Sequence, residues 1–113
     1  MLNIIKQTAK AYKNFHRIDR LDLQTIVCSS HWDINTGQTI IWAIVLDLEA
    51  ERNSTPTFGR DQKLYRVVKF TQGHGQIDGR DQDLEIVFIS YHETKYYAVD
   101  LYNAKVNSTL DLI

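Results

Sequence analysis

A chain of 113 residues has room for one domain, 1–113, and its 43% hydrophobic and 24% charged residues belong to a globular protein, not a disordered one. A single cysteine, Cys28, excludes an internal disulfide and any cysteine-based metal site within one copy. The net charge of −1 hides an asymmetry: residues 1–20 carry Lys6, Lys10, Lys13, Arg17 and Arg20 against Asp19 alone, a net +4 that leaves −5 for the remainder.

Residues 1–20 are expected to form an amphipathic helix. Ile4, Thr8, Ala11, Phe15 and Ile18 recur in steps of four and three, with Met1, Ile5 and Tyr12 beside them. At 100° per residue the five cations fall within about 40° either side of one line on the opposite face. The first residues hold neither a long apolar run nor a small-residue cleavage site, so no secretory signal is expected and a cytoplasmic location is the default. The longest apolar run, Ile40 to Leu46, is too short for a membrane span.

Beyond residue 22 the period changes to two and the composition turns β-branched and aromatic. Strands are expected over Leu23–Trp32, Thr39–Glu49, Lys63–Thr71, Leu84–Tyr91 and Tyr96–Tyr102. Asp33-Ile34-Asn35-Thr36-Gly37 reads as the first turn. A polar loop spans 52–62, a mobile connection 73–79, and a hairpin turn His92–Lys95; from Asn103 the chain reads as a tail. The expected architecture is α+β: one helix packed on a curved, mostly antiparallel meander of about five strands spanning 22–102.

Antiparallel sheets usually alternate between a core face and a wet face. Strand two does not, since Ile40, Trp42, Ile44, Leu46 and Leu48 oppose Ile41, Ala43 and Val45. In strand four Leu84, Ile86 and Phe88 oppose Val87, Ile89 and Tyr91. One helix covers one face, so the second implies a homodimer or a protein partner, with tail docking and barrel closure as the other routes. The interface candidates are Ile41, Val45, Val87, Ile89, Tyr91, Tyr96 and Tyr97.

The cationic line Lys6, Lys10, Lys13, Arg17 and Arg20 spans about 21 Å and is the candidate anion or nucleic-acid surface. A solvated helix face and an acidic-side pI of about 6.4 weigh against that use. Gly59-Arg60-Asp61-Gln62-Lys63-Leu64 is echoed by Gly79-Arg80-Asp81-Gln82-Asp83-Leu84, which reads as turn chemistry used twice. Asp78, Asp81, Asp83 and Glu85 cluster without the spacing of a calcium loop. His16, His31, His74 and His92 are dispersed, no nucleophile elbow surrounds Ser29 or Ser30, and Cys28 reads as a small mid-strand hydrophobe.

The same acids followed by Glu93-Thr94-Lys95 resemble the Asp…Glu-x-Lys core of restriction-type nucleases over a handful of residues. That resemblance implies a magnesium-dependent site with Glu and Lys side by side on a central strand, whereas here they fall in an expected turn. In element order alone, a helix followed by a curved antiparallel sheet is similar to the cystatin-like arrangement, without that family's inhibitor motif. The expectation is a small non-enzymatic interaction protein of adaptor or inhibitor type, self-associating through an apolar sheet face. Its alternative is a nucleic-acid-associated protein using the basic helix. No cofactor, metal or membrane is expected.

Overall fold

The computed structural model describes residues 2–16, 23–47 and 64–112. Helix α1 spans Leu2–His16 and strands β1 and β2 span Leu23–Asp33 and Gln38–Asp47. Strand β3 spans Tyr65–Gly73, a two-residue pair β4 and β5 spans Gln76–Ile77 and Arg80–Asp81, and β6 spans Glu85–His92. Helix α2 closes the chain over Lys95–Leu112. The main sheet is an antiparallel meander in the order β1-β2-β3-β6, with β4 and β5 forming their own small ribbon.

The class is α+β, with an N-terminal helix on an antiparallel sheet, but the expected fifth strand, Tyr96–Tyr102, and the tail beyond it are one helix. Aromatic and β-branched residues at Tyr96, Tyr97, Val99 and Tyr102 favour strands locally. Other features override that preference. Thr94 caps the helix, its hydroxyl accepting the Tyr97 N–H at 3.4 Å and its carbonyl accepting the Ala98 N–H at 3.3 Å. No glycine or proline interrupts the next eighteen residues. Ala98, Tyr102 and Thr109 are buried on one side, with Val106 partly so. His92–Lys95 is therefore a strand-to-helix turn, not a hairpin.

Helix α2 settles what covers the second face of the sheet. Ile41, Ala43, Val45, Val68 and Phe70 lie beneath α1 with Tyr12 and Leu23. Trp42, Ile44 and Val67 lie on the opposite face beneath α2 with Ala98 and Tyr102. Both apolar faces of β2 are thus sealed by the chain's own helices. Ile41 and Val45, expected at an interface, are core residues at 1% and 0% exposure. The physical reason is parity: strand alternation puts them on the α1 side, and α1 is already there.

A β-bulge changes the parity of β6. Phe70 pairs with Ile86 but Lys69 pairs with Phe88, so Val87 is the extra residue. Ile86 and Ile89 therefore both pack on the α1 side, while Phe88 packs on the α2 side. Simple alternation would have put Ile86 and Phe88 on one face. A second shift, between Thr25 and Val27, leaves Ile26 unpaired in β1.

The segment read as a mobile connection is an ordered hairpin. Asp78 and Gly79 hold φ of 54° and 77°, the paired left-handed conformations of a two-residue turn, which Asp-Gly adopts readily. At the other hairpin Asp33 accepts hydrogen bonds from the Asn35 N–H at 3.0 Å and the Thr36 hydroxyl at 2.8 Å. Those two bonds hold its carboxyl below the ordinary carboxylate range.

Buried polar contacts fix α1 on the sheet. Thr8, fully buried, donates to the Ile5 carbonyl at 2.8 Å, so the Thr25 hydroxyl 2.9 Å away supplies the proton of their mutual bond. Tyr12 accepts a 3.1 Å bond from Arg66 Nε, and burial pushes its phenol up to about 12 against the opposing pull of the guanidinium. Unfolding frees the Tyr12 phenol to ionise near pH 10, so the folded chain binds the proton more tightly. Stability from this group is complete below pH 10 and is lost as pH rises toward 12, by an amount on the order of 2 kcal/mol. Urea unfolding measured from pH 9 to 12 is expected to show this slope, and Tyr12→Phe to flatten it.

Candidate functional site

A cleft of about 850 Å³ opens between α1 and the segment running from β5 into β6. One wall is a single side of α1, where Gln7, Lys10, Ala11 and Asn14 succeed one another at helical spacing and Phe15 closes the end. The other wall is the 80–86 segment, which brings in Arg80, Asp81, Asp83 and Glu85. Leu84 and Ile86 supply apolar surface between them, both packed against the α1-side core.

That second wall is held rigidly. The Gln72 side-chain amide donates to the Gln82 carbonyl at 2.7 Å, and Gln82 Nε2 donates to the His74 carbonyl at 2.8 Å. The Gln82 side chain lies where a Cβ on Gly73 would be, so glycine is the residue that admits this contact. His74 in turn packs edge-on against Trp32, with ring centroids 5.3 Å apart. The second Gly-Arg-Asp-Gln copy is therefore a hairpin exit that builds a wall. The first copy, residues 59–64, lies outside the described residues except for Leu64.

The cleft unites features that the sequence displays separately. Lys10 of the basic line faces the acidic cluster Asp81, Asp83 and Glu85, with Asp78 at the nearby hairpin tip. Lys6 is exposed and Lys13 half-buried on the same helix; Arg17 and Arg20 lie outside the described residues. Among the described residues no group of three His, Cys, Asp or Glu side chains is placed to hold a metal.

The nuclease-like residues do not converge. Glu93 and Lys95 flank the cap of α2, while Asp81 and Asp83 stand at the other end of β6, roughly 23 Å away for seven strand steps. The histidines join no such metal-binding group among the described residues. His92 shares a 2.7 Å hydrogen bond with Ser90, a pairing that the spacing of Ser29 and Ser30 did not suggest. Neither residue lines the cleft. His31 Nε2 is buried without a hydrogen-bond partner among the described residues. Burial raises the Cys28 thiol above its ordinary value, which makes it a poor nucleophile.

A second exposed region runs along the last strand of the sheet into α2. Tyr96 and Tyr97, adjacent in the first turn, pack edge to face with centroids 5.5 Å apart and remain 75% and 64% exposed. Tyr91 and Val87 on β6 are also exposed, at 44% and 53%, whereas Ile89 is turned into the core. Arg66 lies 5.3 Å from the centre of the Tyr91 ring, which fixes its orientation. Of the expected interface residues, four are thus on the surface and three are not. No helix among the described residues is long and apolar enough to cross a membrane.

Compared with protein-family models, curated proteins and solved structures, the chain matches none.

Proposed function

We propose that this chain is a small, non-catalytic protein-binding module of adaptor or inhibitor type, and that it receives a protein partner on the outer rim of β6 and the first turn of α2. The observation that carries the reading is the exposure of two tyrosines packed edge to face, Tyr96 and Tyr97, beside an edge strand that also exposes Tyr91 and Val87. Tyrosine offers a large rigid contact area with a polar tip, and exposed groups of this kind anchor partners. An edge strand adds unpaired backbone groups to which an extended segment can pair.

The basic face of α1 supports the nucleic-acid alternative less well. Lys10 shares its cleft with Asp81, Asp83 and Glu85, and carboxylates at that position repel phosphate.

The test is a photo-crosslinking amino acid placed at position 96, 97 or 103 in the native host. Asn103 is the control, exposed on the same helix about two turns beyond Tyr96. A discrete adduct of one partner from 96 and 97, and none from 103, is expected. No adduct at any position, or the same adducts from all three, would sink the reading.

A further inference from the structure

We propose that the cleft between α1 and the 80–86 segment is where two copies of this chain meet. The helix wall of each copy, with Lys10 in the cleft and Lys6 and Lys13 further round α1, lies over the acidic wall of the other, where Asp81, Asp83 and Glu85 outnumber Arg80. This rests on the reading of the chain as an interaction protein, but it assigns a different surface from the tyrosine rim.

Charge complementarity carries the argument. Lys10 gives the helix wall a positive charge, Asp81, Asp83 and Glu85 with Arg80 leave the facing wall net negative, and no ion pair within the described residues joins the two. A surface with cations on one side of a line and carboxylates on the other is complementary to itself. A two-fold axis running along that line sets each wall against its opposite in the second copy, the geometry of a closed isologous dimer. The same arrangement matches only one register, because sliding or inverting the partner brings like charges together.

The remaining properties of the cleft agree with this occupant. Phe15, 58% exposed at the rim, and Leu84 and Ile86 between the walls provide an apolar centre that two copies would close off from water. The Gln72, Gln82 and His74 bonds hold the acidic wall in place before binding, so little ordering entropy is lost. A net charge of −1 leaves two copies without long-range repulsion, although each carries strong local charge.

Sedimentation velocity with the full chain tests the proposal at about 0.05 M and about 0.5 M salt. Wild-type protein is expected to dimerise, with an affinity at least about tenfold weaker at the higher salt as the charged walls are screened. Lys6→Glu/Lys10→Glu/Lys13→Glu and Asp81→Lys/Asp83→Lys/Glu85→Lys are each expected to be monomeric alone and to form a heterodimer when mixed. Circular dichroism reports that each variant is folded. The milder pair Lys10→Glu and Asp83→Lys repeats the exchange should either triple variant unfold. Monomeric wild-type protein, a dimer insensitive to salt, or reversed variants that fail to pair on mixing each overturn the proposal. The crosslinking result at Tyr96 and Tyr97 stands or falls separately, so failure of this dimer is distinguishable from failure of the interaction reading.

Discussion

Replacing Trp42 by alanine is expected to cost about 3–5 kcal/mol, a large part of the roughly 5–15 kcal/mol that holds such a domain together. Trp42 is 4% exposed and joins the sheet to α2 across the chain. Its indole N–H donates to the Thr109 hydroxyl at 2.8 Å, and its ring packs T-shaped with that of Phe88, centroids 5.8 Å apart. Lys69 Nζ lies 5.6 Å from the ring centre on the same side of the sheet. Removing the indole leaves a cavity and a buried Thr109 hydroxyl without its donor, and the two penalties add.

Trp42→Phe separates them. It keeps most of the apolar volume and loses the hydrogen bond, so a loss of about 1–2 kcal/mol is expected. Trp32→Ala, at a site 47% exposed, serves as the comparison and is expected to change stability far less. Urea unfolding reads all three. Hydrogen exchange adds the spatial answer: in Trp42→Ala the amides of α2 exchange faster while those of β1–β3 keep more protection. A loss below about 1 kcal/mol for Trp42→Ala would mean that α2 does not seal this face.

Arg66→Leu is the second change of that size. Asp47 is 3% exposed and its carboxylate lies 3.8 Å from the Arg66 guanidinium, which also donates to Tyr12 and faces the Tyr91 ring. Taking away the cation removes a counter-charge from a buried carboxylate, for which about 3–5 kcal/mol is the usual loss. The pair as a whole need not be stabilising, because each ion lost its hydration on burial. Arg66→Leu combined with Asp47→Leu is therefore expected to recover most of the single-variant loss. Denaturant midpoints for the two single variants and the double variant give the coupling directly. Additive losses would show that the ion pair is not what holds this end of α1 to the sheet.

The same residues show how much was legible beforehand. The N-terminal helix was readable because its apolar and cationic sides coincide with one period, and the first four strands because they are β-branched and aromatic runs set between turn-rich or polar segments. The C-terminal helix was not, because its tyrosines and valine favour strands and its two exposed tyrosines blur the buried stripe of Ala98, Tyr102 and Thr109. Its cap, Thr94, and its run without glycine or proline were the available signals. Asp78-Gly79 likewise marked a tight hairpin within what was read as a mobile connection.

Of the site, the parts were visible and the assembly was not. Lys10 is some seventy residues from Asp81, and nothing local relates them. The bulge at Val87 is equally silent in the sequence, yet it decides which of Ile86, Phe88, Ile89 and Tyr91 face α1.

The amino-acid sequence by itself determined an α+β class, a basic amphipathic helix at the start and a sheet apolar on both sides of β2. Those follow from periodicity, which is a local property. Tertiary structure alone decided that the second apolar side is closed by the chain's own α2 and that the basic and acidic segments face each other across one cleft. Burial of a sheet face outweighs the modest strand preference of individual residues, and it is a property of what packs against the face, not of the residues that form it.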